Sequence, residues 1–296
     1  MTTVPPDTGV GRLLREWRER RRLSQLELAL RADSSARHIS FIETGRARPS
    51  EDMVLRLAEQ LDVPVRERNA LLVLAGHAPR YAQTPLDDPA MAALREGLDR
   101  LLTAYEPYPA LVVDGSYAVV AANRGTALLL EGVAKSLLEP PANAMRLTLH
   151  PEGLAPRIVN LPAWRAALLA QMDRHIALVR SPELRALYDE VAAYPVPSRP
   201  GPGDGDERPG GSPARRAAAA RAGATHKRDT GGAQREQPVA FALPMLLRHG
   251  GRVLSFVSSI ATFNTPMDVT VAELAIETFL PADRETAAYL RARVPS

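Results

Sequence analysis

Through its first quarter the chain sets apolar residues at helical spacing with polar residues between them. Five short helices are predicted between residues 10 and 76. Leu13, Leu14 and Trp17 belong to the first, Leu26, Ala29 and Leu30 to the second, Ile39 and Ile42 to the third. Val54, Leu57, Ala58 and Leu61 form the clearest stripe, and Leu71, Leu72 and Leu74 close the set. Gly45, Pro49 and Gly76 fall where helices should end. Residues 77–104 read as a connecting segment, with a turn at Pro85, Asp87, Asp88 and Pro89 and then a helix around Met91–Tyr105.

The pattern changes at Pro109. Ala110–Asp114 and Tyr117–Asn123 are β-rich runs joined by Gly115-Ser116, a hairpin signal. A helix is predicted from Asn123 through Leu128–Leu130, and helical stripes return at Leu161–Met172 and Pro182–Ala193. Val239–Arg248 and Arg252–Asn264 read as strands around His249-Gly250-Gly251, a second hairpin signal. Ala272–Phe279 and Ala282–Arg293 read as helices. The expected architecture is therefore multidomain: an all-α five-helix unit at 10–76, then an α+β unit at 105–293 with a strand pair near each end. Between Val196 and Val239 there is no Leu, Ile, Val, Phe, Met, Tyr or Trp. Such a stretch cannot bury enough apolar surface to offset its ordering entropy, so residues 197–238 are expected to be a disordered insertion.

Composition narrows the classes. The hydrophobic share of 45% supports packed cores. No apolar run approaches the roughly 20 residues a bilayer requires, and the first residues lack a secretory pattern, so the cytoplasm is the expected location and no membrane partner is expected. The chain has no cysteine, which excludes disulfides, thiolate metal sites and thiol nucleophiles. Charge is unevenly placed. Residues 11–48 hold ten arginines and five acids, a surplus of five, whereas the formal net charge of the whole chain is +3. A basic unit on a mildly acidic body suits a phosphate backbone as partner.

The basic segment also carries local chemistry. Ser24 followed by Glu27 is a capping box that fixes a helix start. It leaves Gln25 in the first turn, where its amide and free backbone N–H groups can meet a phosphate. Ser35 is a good N-cap for a helix over Ala36–Thr44. At 100° per residue Ala36, Arg37, Ser40, Phe41 and Thr44 share one arc, opposite Ile39 and Ile42. The isoleucines must face a core. The other face suits a major groove: Arg37 can pair with guanine O6 and N7, Ser40 with either base type, and Ala36 or Phe41 can touch a thymine methyl. Beyond Gly45, Arg46 and Arg48 stand ready for phosphates.

SQLELALRADSSARHISFIETGRARPS resembles the XRE (phage repressor/Cro-type) helix-turn-helix. The resemblance puts Gln25 at a phosphate-contacting position and Ala36, Arg37 and Phe41 at base-reading positions. It also makes Arg18 and Glu43 a buried ion pair. Phe41 departs from the family, where a polar residue is usual. RHISFIETGRARPSEDMVLRLAEQLDVPVRERNALLVLAGHAP, ALVVDGSYAVVAANRGTALLL, HPEGLAPRIVNLPAWRAALLAQM and LRHGGRVLSFVSSIATFNTPMDVTVAELAIETFLPAD resemble regulators with a MmyB-like C-terminal domain. That resemblance implies a PAS-like ligand-binding fold, an antiparallel sheet with helices over one face, able to hold a fatty acid or similar apolar molecule.

A curved sheet under helices tends to enclose an apolar cavity. Candidate lining residues are Val112, Val119, Phe256, Val257, Ile260, Leu168 and Met172, with Leu129 or Leu130. Polar candidates are Asn123, His150, Arg157, Trp164 and Asn264. Asn123 reads first as a helix cap, while Arg157 fits either a ligand carboxylate or an internal acid. The chain has no HExxH, nucleophile elbow or phosphate loop, and its six histidines lack metal spacing. No catalytic residue, metal or cofactor is expected beyond an apolar effector. Three readings follow: a dimeric DNA-binding regulator controlled by such an effector, a constitutive regulator whose body only dimerises or binds a partner, and an enzyme fused to a helix-turn-helix.

Overall fold

A computed structural model describes residues 9–179, 181–196 and 242–294. The expected insertion at 197–238, and the first residues of the strand expected from Val239, lie outside the described residues.

The N-terminal unit consists of α1 (Val10–Arg20), α2 (Gln25–Arg31), α3 (Ala36–Glu43), α4 (Glu51–Gln60) and α5 (Val65–Leu74). Side chains of Ser24, Ser35 and Ser50 start α2, α3 and α4 by accepting from backbone N–H groups three residues on. Each of the five helices ends the same way. Arg22, Asp33, Gly45, Asp62 and Gly76 take left-handed φ, and the next residue donates back to the carbonyl five positions earlier, as Arg46 does to Phe41 at 2.8 Å. This closure satisfies carbonyls that would otherwise be orphaned at a helix C-terminus. The core buries Leu14, Trp17, Leu28, Ile39, Ile42 and Leu57 almost completely.

A 3-10 turn at Pro89–Met91 leads into α6 (Ala92–Tyr105). Then come β1 (Ala110–Val113), β2 (Val119–Ala122), α7 (Arg124–Leu129), α8 (Lys135–Leu138), α9 (Ala144–Leu149), α10 (Leu161–Val179) and α11 (Pro182–Ala193). After the undescribed segment follow β3 (Met245–His249), β4 (Arg252–Thr262), α12 (Val269–Glu273), β5 (Ala275–Pro281) and α13 (Arg284–Arg293). The sheet is antiparallel, in the order β2-β1-β5-β4-β3. Gly250 and Gly251, both at positive φ, make the two-residue turn that sets His249 opposite Arg252. The fold is thus a helical unit followed by a PAS-like sheet with helices.

One expected element is overturned. Ala272–Phe279, read as a helix, is mostly β5, which pairs with β1 on one side and β4 on the other and so joins the two strand pairs. Both faces of β5 meet protein, so its alternation of apolar and polar residues is blurred. Leu274 and Ile276 pack with Leu98 and Leu102 of α6, while Ala275 and Phe279 face the larger core beneath α7, α9 and α10. Short α8 and α9 had no expected counterpart.

The two units touch. Arg66 of α5 makes a paired ion contact with Glu273 of α12, at 2.6 and 2.9 Å. Asp268 accepts from the backbone and hydroxyl of Thr84 at 3.1 and 2.7 Å.

Candidate DNA interface and ligand cavity

α3 is held from behind and open in front. Ile39 and Ile42 are each 1% exposed. Gly11 of α1 lies so close that a Cβ there would overlap the Ile42 carbonyl oxygen. Beside this contact Arg18 forms a two-pronged pair with Glu43, at 2.6 and 2.8 Å, and donates a third bond to the Leu23 carbonyl at 2.8 Å. The hydrogen bond to Glu43 holds the Arg18 guanidinium charged more firmly than usual. Gln25 donates to the second Glu43 oxygen at 2.9 Å, leaving the other hydrogen of its amide free for a phosphate. The pair that the resemblance implies is therefore present, and it ties α1, α2 and α3 together.

On the outer face Arg37 is exposed and its guanidinium lies over the half-buried Phe41 ring, 5.2 Å from the centroid. Phe41 thus gives Arg37 a platform, a contact of the cation–π kind. Ala36 and Ser40 flank it half-exposed. Ser35 caps the helix by accepting from His38 at 3.1 Å. Thr44 commits its hydroxyl proton to the Ser40 carbonyl at 2.7 Å. Arg46, directly past the helix end, is exposed. Arg48 is exposed as well, and its guanidinium donates to the Ala75 and Gly76 carbonyls at 2.6 and 2.8 Å, closing the end of α5.

Between the sheet and helices α7 and α9 lies a cavity of about 230 Å³, lined by apolar residues including Leu111, Val119, Leu129, Leu130, Met245 and Phe279. Its polar side chains are Thr126, Thr148 and Glu277. The two threonines give their protons to the Ala110 and Ala144 carbonyls, at 2.9 and 2.8 Å. Glu277, on the core-facing side of β5, accepts from Ser258 at 2.8 Å, and burial pushes its carboxyl above the usual carboxylate range. Among the described residues no lysine, arginine or histidine lines this cavity.

The residues expected to line a cavity divide. Val119, Leu129 and Leu130 do so. Val112 does not: it faces α6 on the other side of the sheet. Asn123 is a cap, accepting from Thr126 and Ala110 and donating to the carbonyls of Tyr108 and Leu102. Arg157 donates to the Leu129 carbonyl at 2.6 Å, and burial lowers its pKa. Trp164, Leu168, Met172 and Phe256 are core residues, the Trp164 indole N–H having no partner among the described residues. Ile260 is 47% exposed and borders a second, more open cavity of about 600 Å³ between the units, with Arg66, Tyr117 and His175. His150 packs edge-on to Tyr194, Asn264 is exposed, and no cluster of metal-ligand residues occurs among the described residues. The helical reading of Ala272–Phe279 gives no sign that Glu277 borders a cavity, because that follows from β5 running there.

A helix-turn-helix reader joined to a sheet-and-helix body with an internal cavity is the plan of a ligand-binding transcription regulator. The helix-turn-helix family model matches residues 14–68, and the model of the MmyB-like transcription regulator ligand binding domain matches residues 94–292. The chain belongs to the MmyB-like transcription regulators, with an XRE-type DNA-binding unit at its N-terminus. No curated protein matches it. Among solved structures, the restriction-modification controller protein C.AhdI from Aeromonas hydrophila is similar at 34% identity, covering 20% of this chain and 89% of that chain, with a TM-score of 0.19. No described helix is long and apolar enough to cross a membrane.

Proposed function

We propose that this regulator reads its operator by laying α3 in the major groove, with Arg37 paired to a guanine and Ala36, Ser40 and Phe41 beside it. The carrying observation is the outward Arg37, stacked on Phe41 opposite two buried isoleucines. Gln25, Ser35 and Arg46 approach phosphates at the two ends of the helices. One such unit covers a half-site, so the acting species is a homodimer on double-stranded DNA, in the cytoplasm. A small apolar effector, such as a fatty-acid-like chain, occupies the cavity under the sheet. It controls binding by favouring one body conformation, and with it one arrangement of the readers.

Footprinting of the purified protein on genomic DNA names the operator. On that site Arg37→Ala costs roughly 1–3 kcal/mol at one base pair and relaxes preference there, whereas Arg46→Ala weakens all sequences and lowers the salt slope by about one. Equal losses for Arg37→Ala on operator and random duplex remove the base-reading role.

A further inference from the structure

The junction between the two units is paired along one seam and unpaired along another. Arg66 of the reader meets Glu273 of the body as opposite charges do. A separate cleft of about 870 Å³ lies between α1 and the corner where α10 gives way to α11. There like charges meet. The reader contributes Arg20 and Arg21, the body contributes Arg174 and Arg185, and among the described residues no carboxylate lines the space. Asp173, 3.4 Å from Arg185, stands outside the lining with its side chain mostly in water.

Three of the four cations are set in place by contacts. Arg20 and Arg21 hold their guanidinium carbons 5.1 and 5.8 Å from the centroid of the Trp17 ring. Arg21 also donates to the Leu61 and Asp62 carbonyls at 2.8 and 3.0 Å. Arg185 lies over Tyr188, 5.2 Å from its centroid. Rings and carbonyls thus keep positive groups near one cleft that would otherwise spread into solvent. A guanidinium carries five N–H donors, and the bonds named here use no more than two on any of them. The indole N–H of Trp17, a residue of the same wall, is buried and has no partner among the described residues. Repulsion across such a cleft is relieved by an anion, and an anion with charges spaced along its length reaches both sides where a single phosphate reaches one.

We propose that this cleft is a site for a compact polyphosphate, of the size and charge of a triphosphate group, gripped by arginines of both units. When bound it cancels the repulsion and draws reader and body together. The site is separate from the cavity under the sheet and does not depend on an apolar effector.

The test titrates the full chain by calorimetry, at one ionic strength and without magnesium, with tripolyphosphate, adenosine triphosphate and orthophosphate. Tripolyphosphate is expected to bind at least about tenfold more tightly than orthophosphate. Arg174→Gln with Arg185→Gln in the body, and Arg20→Gln in the reader, each weaken it by about tenfold or more. All three side chains are exposed, so the variants keep their packing, which thermal melting verifies. Arg37→Ala with Arg46→Ala strips cations from the reading face and leaves tripolyphosphate affinity unchanged. Adenosine triphosphate binding as tightly as tripolyphosphate upholds the site and shows that the phosphate chain alone is read. Tighter binding also upholds it and shows that the apolar wall at Ile176, Leu178 and Pro182 takes the nucleoside. No preference over orthophosphate overturns the proposal. So does a loss confined to the Arg37 and Arg46 variant, which would put the polyanion on the DNA-reading face. Arg20→Gln without effect overturns the grip by both units.

Discussion

Glu43 and Glu277 are both carboxylates removed from bulk water, one in each unit, and their surroundings are opposites. Glu43, with its side chain 3% exposed, faces both prongs of Arg18 and an amide of Gln25. Its charge is fully answered, and it serves to fasten three helices behind the reading face. Glu277 accepts from one serine hydroxyl and borders both the apolar cavity under the sheet and the more open one lined by Tyr117 and His175. A buried acid whose partners are complete belongs to the scaffold. One left with a free acceptor at the edge of a cavity is available to something that enters. The contrast lies in the partners each carboxyl group has, not in residue type.

The largest effect expected from this contrast lies at Arg18. Arg18→Ala strands Glu43 and should cost about 3–5 kcal/mol in denaturant unfolding of the helical unit, whereas Arg18→Met combined with Glu43→Leu should come close to wild type. A small loss in the single variant would mean that Glu43 is far better solvated than its contacts indicate. Glu277 should behave in reverse. Its folded-state carboxyl holds its proton more tightly than the unfolded chain does, so its contribution is favourable at low pH. That contribution is lost as pH rises from the unfolded range through the raised folded value. Tyr117 is held in the same direction, to about 12, by burial and by the Glu277 charge. Glu277→Gln should therefore raise Tm above the folded-state pKa and flatten its dependence on pH. A Tm lowered equally at all pH values would contradict this. The smallest effect concerns backbone slack in the well-paired unit. Asp62 sits at φ 46 at the end of α4, and Asp62→Gly should stabilise by about 1 kcal/mol, read from the shift in unfolding midpoint.

How much could be read in advance follows the same division. The helix-turn-helix announces itself through local signals: Ser24 with Glu27, Ser35, the isoleucine pair and Gly45 all act within a few residues of where they stand. The bonds from Arg48 to the Ala75 and Gly76 carbonyls leave no local signal, because those partners are distant in sequence. In the body, the hairpin around Gly250-Gly251 was legible for the same local reason. β5 was not. Leu274 and Ile276 point to one core and Ala275 and Phe279 to another, so no polar face marked its period, and Glu277 looked like the wet side of a helix. Ile276, Thr278 and Phe279, all β-favouring, with Pro281 at the strand's end, were the signal that was there to find. Which apolar residues border a void rather than a neighbour depends on packing across the sheet, and spacing along the chain carries no trace of it.

The central place of β5 also orders events during synthesis. The helical unit is complete by Gly76 and can fold as it emerges. The sheet cannot: Ala110 must wait for Thr278 before its ladder closes. Until then β1 and β4 each present a bare edge, open to pairing with another nascent chain. A ribosome-stalled chain ending before residue 275 should therefore display a protease-resistant N-terminal unit attached to a body that is still digestible and prone to aggregate.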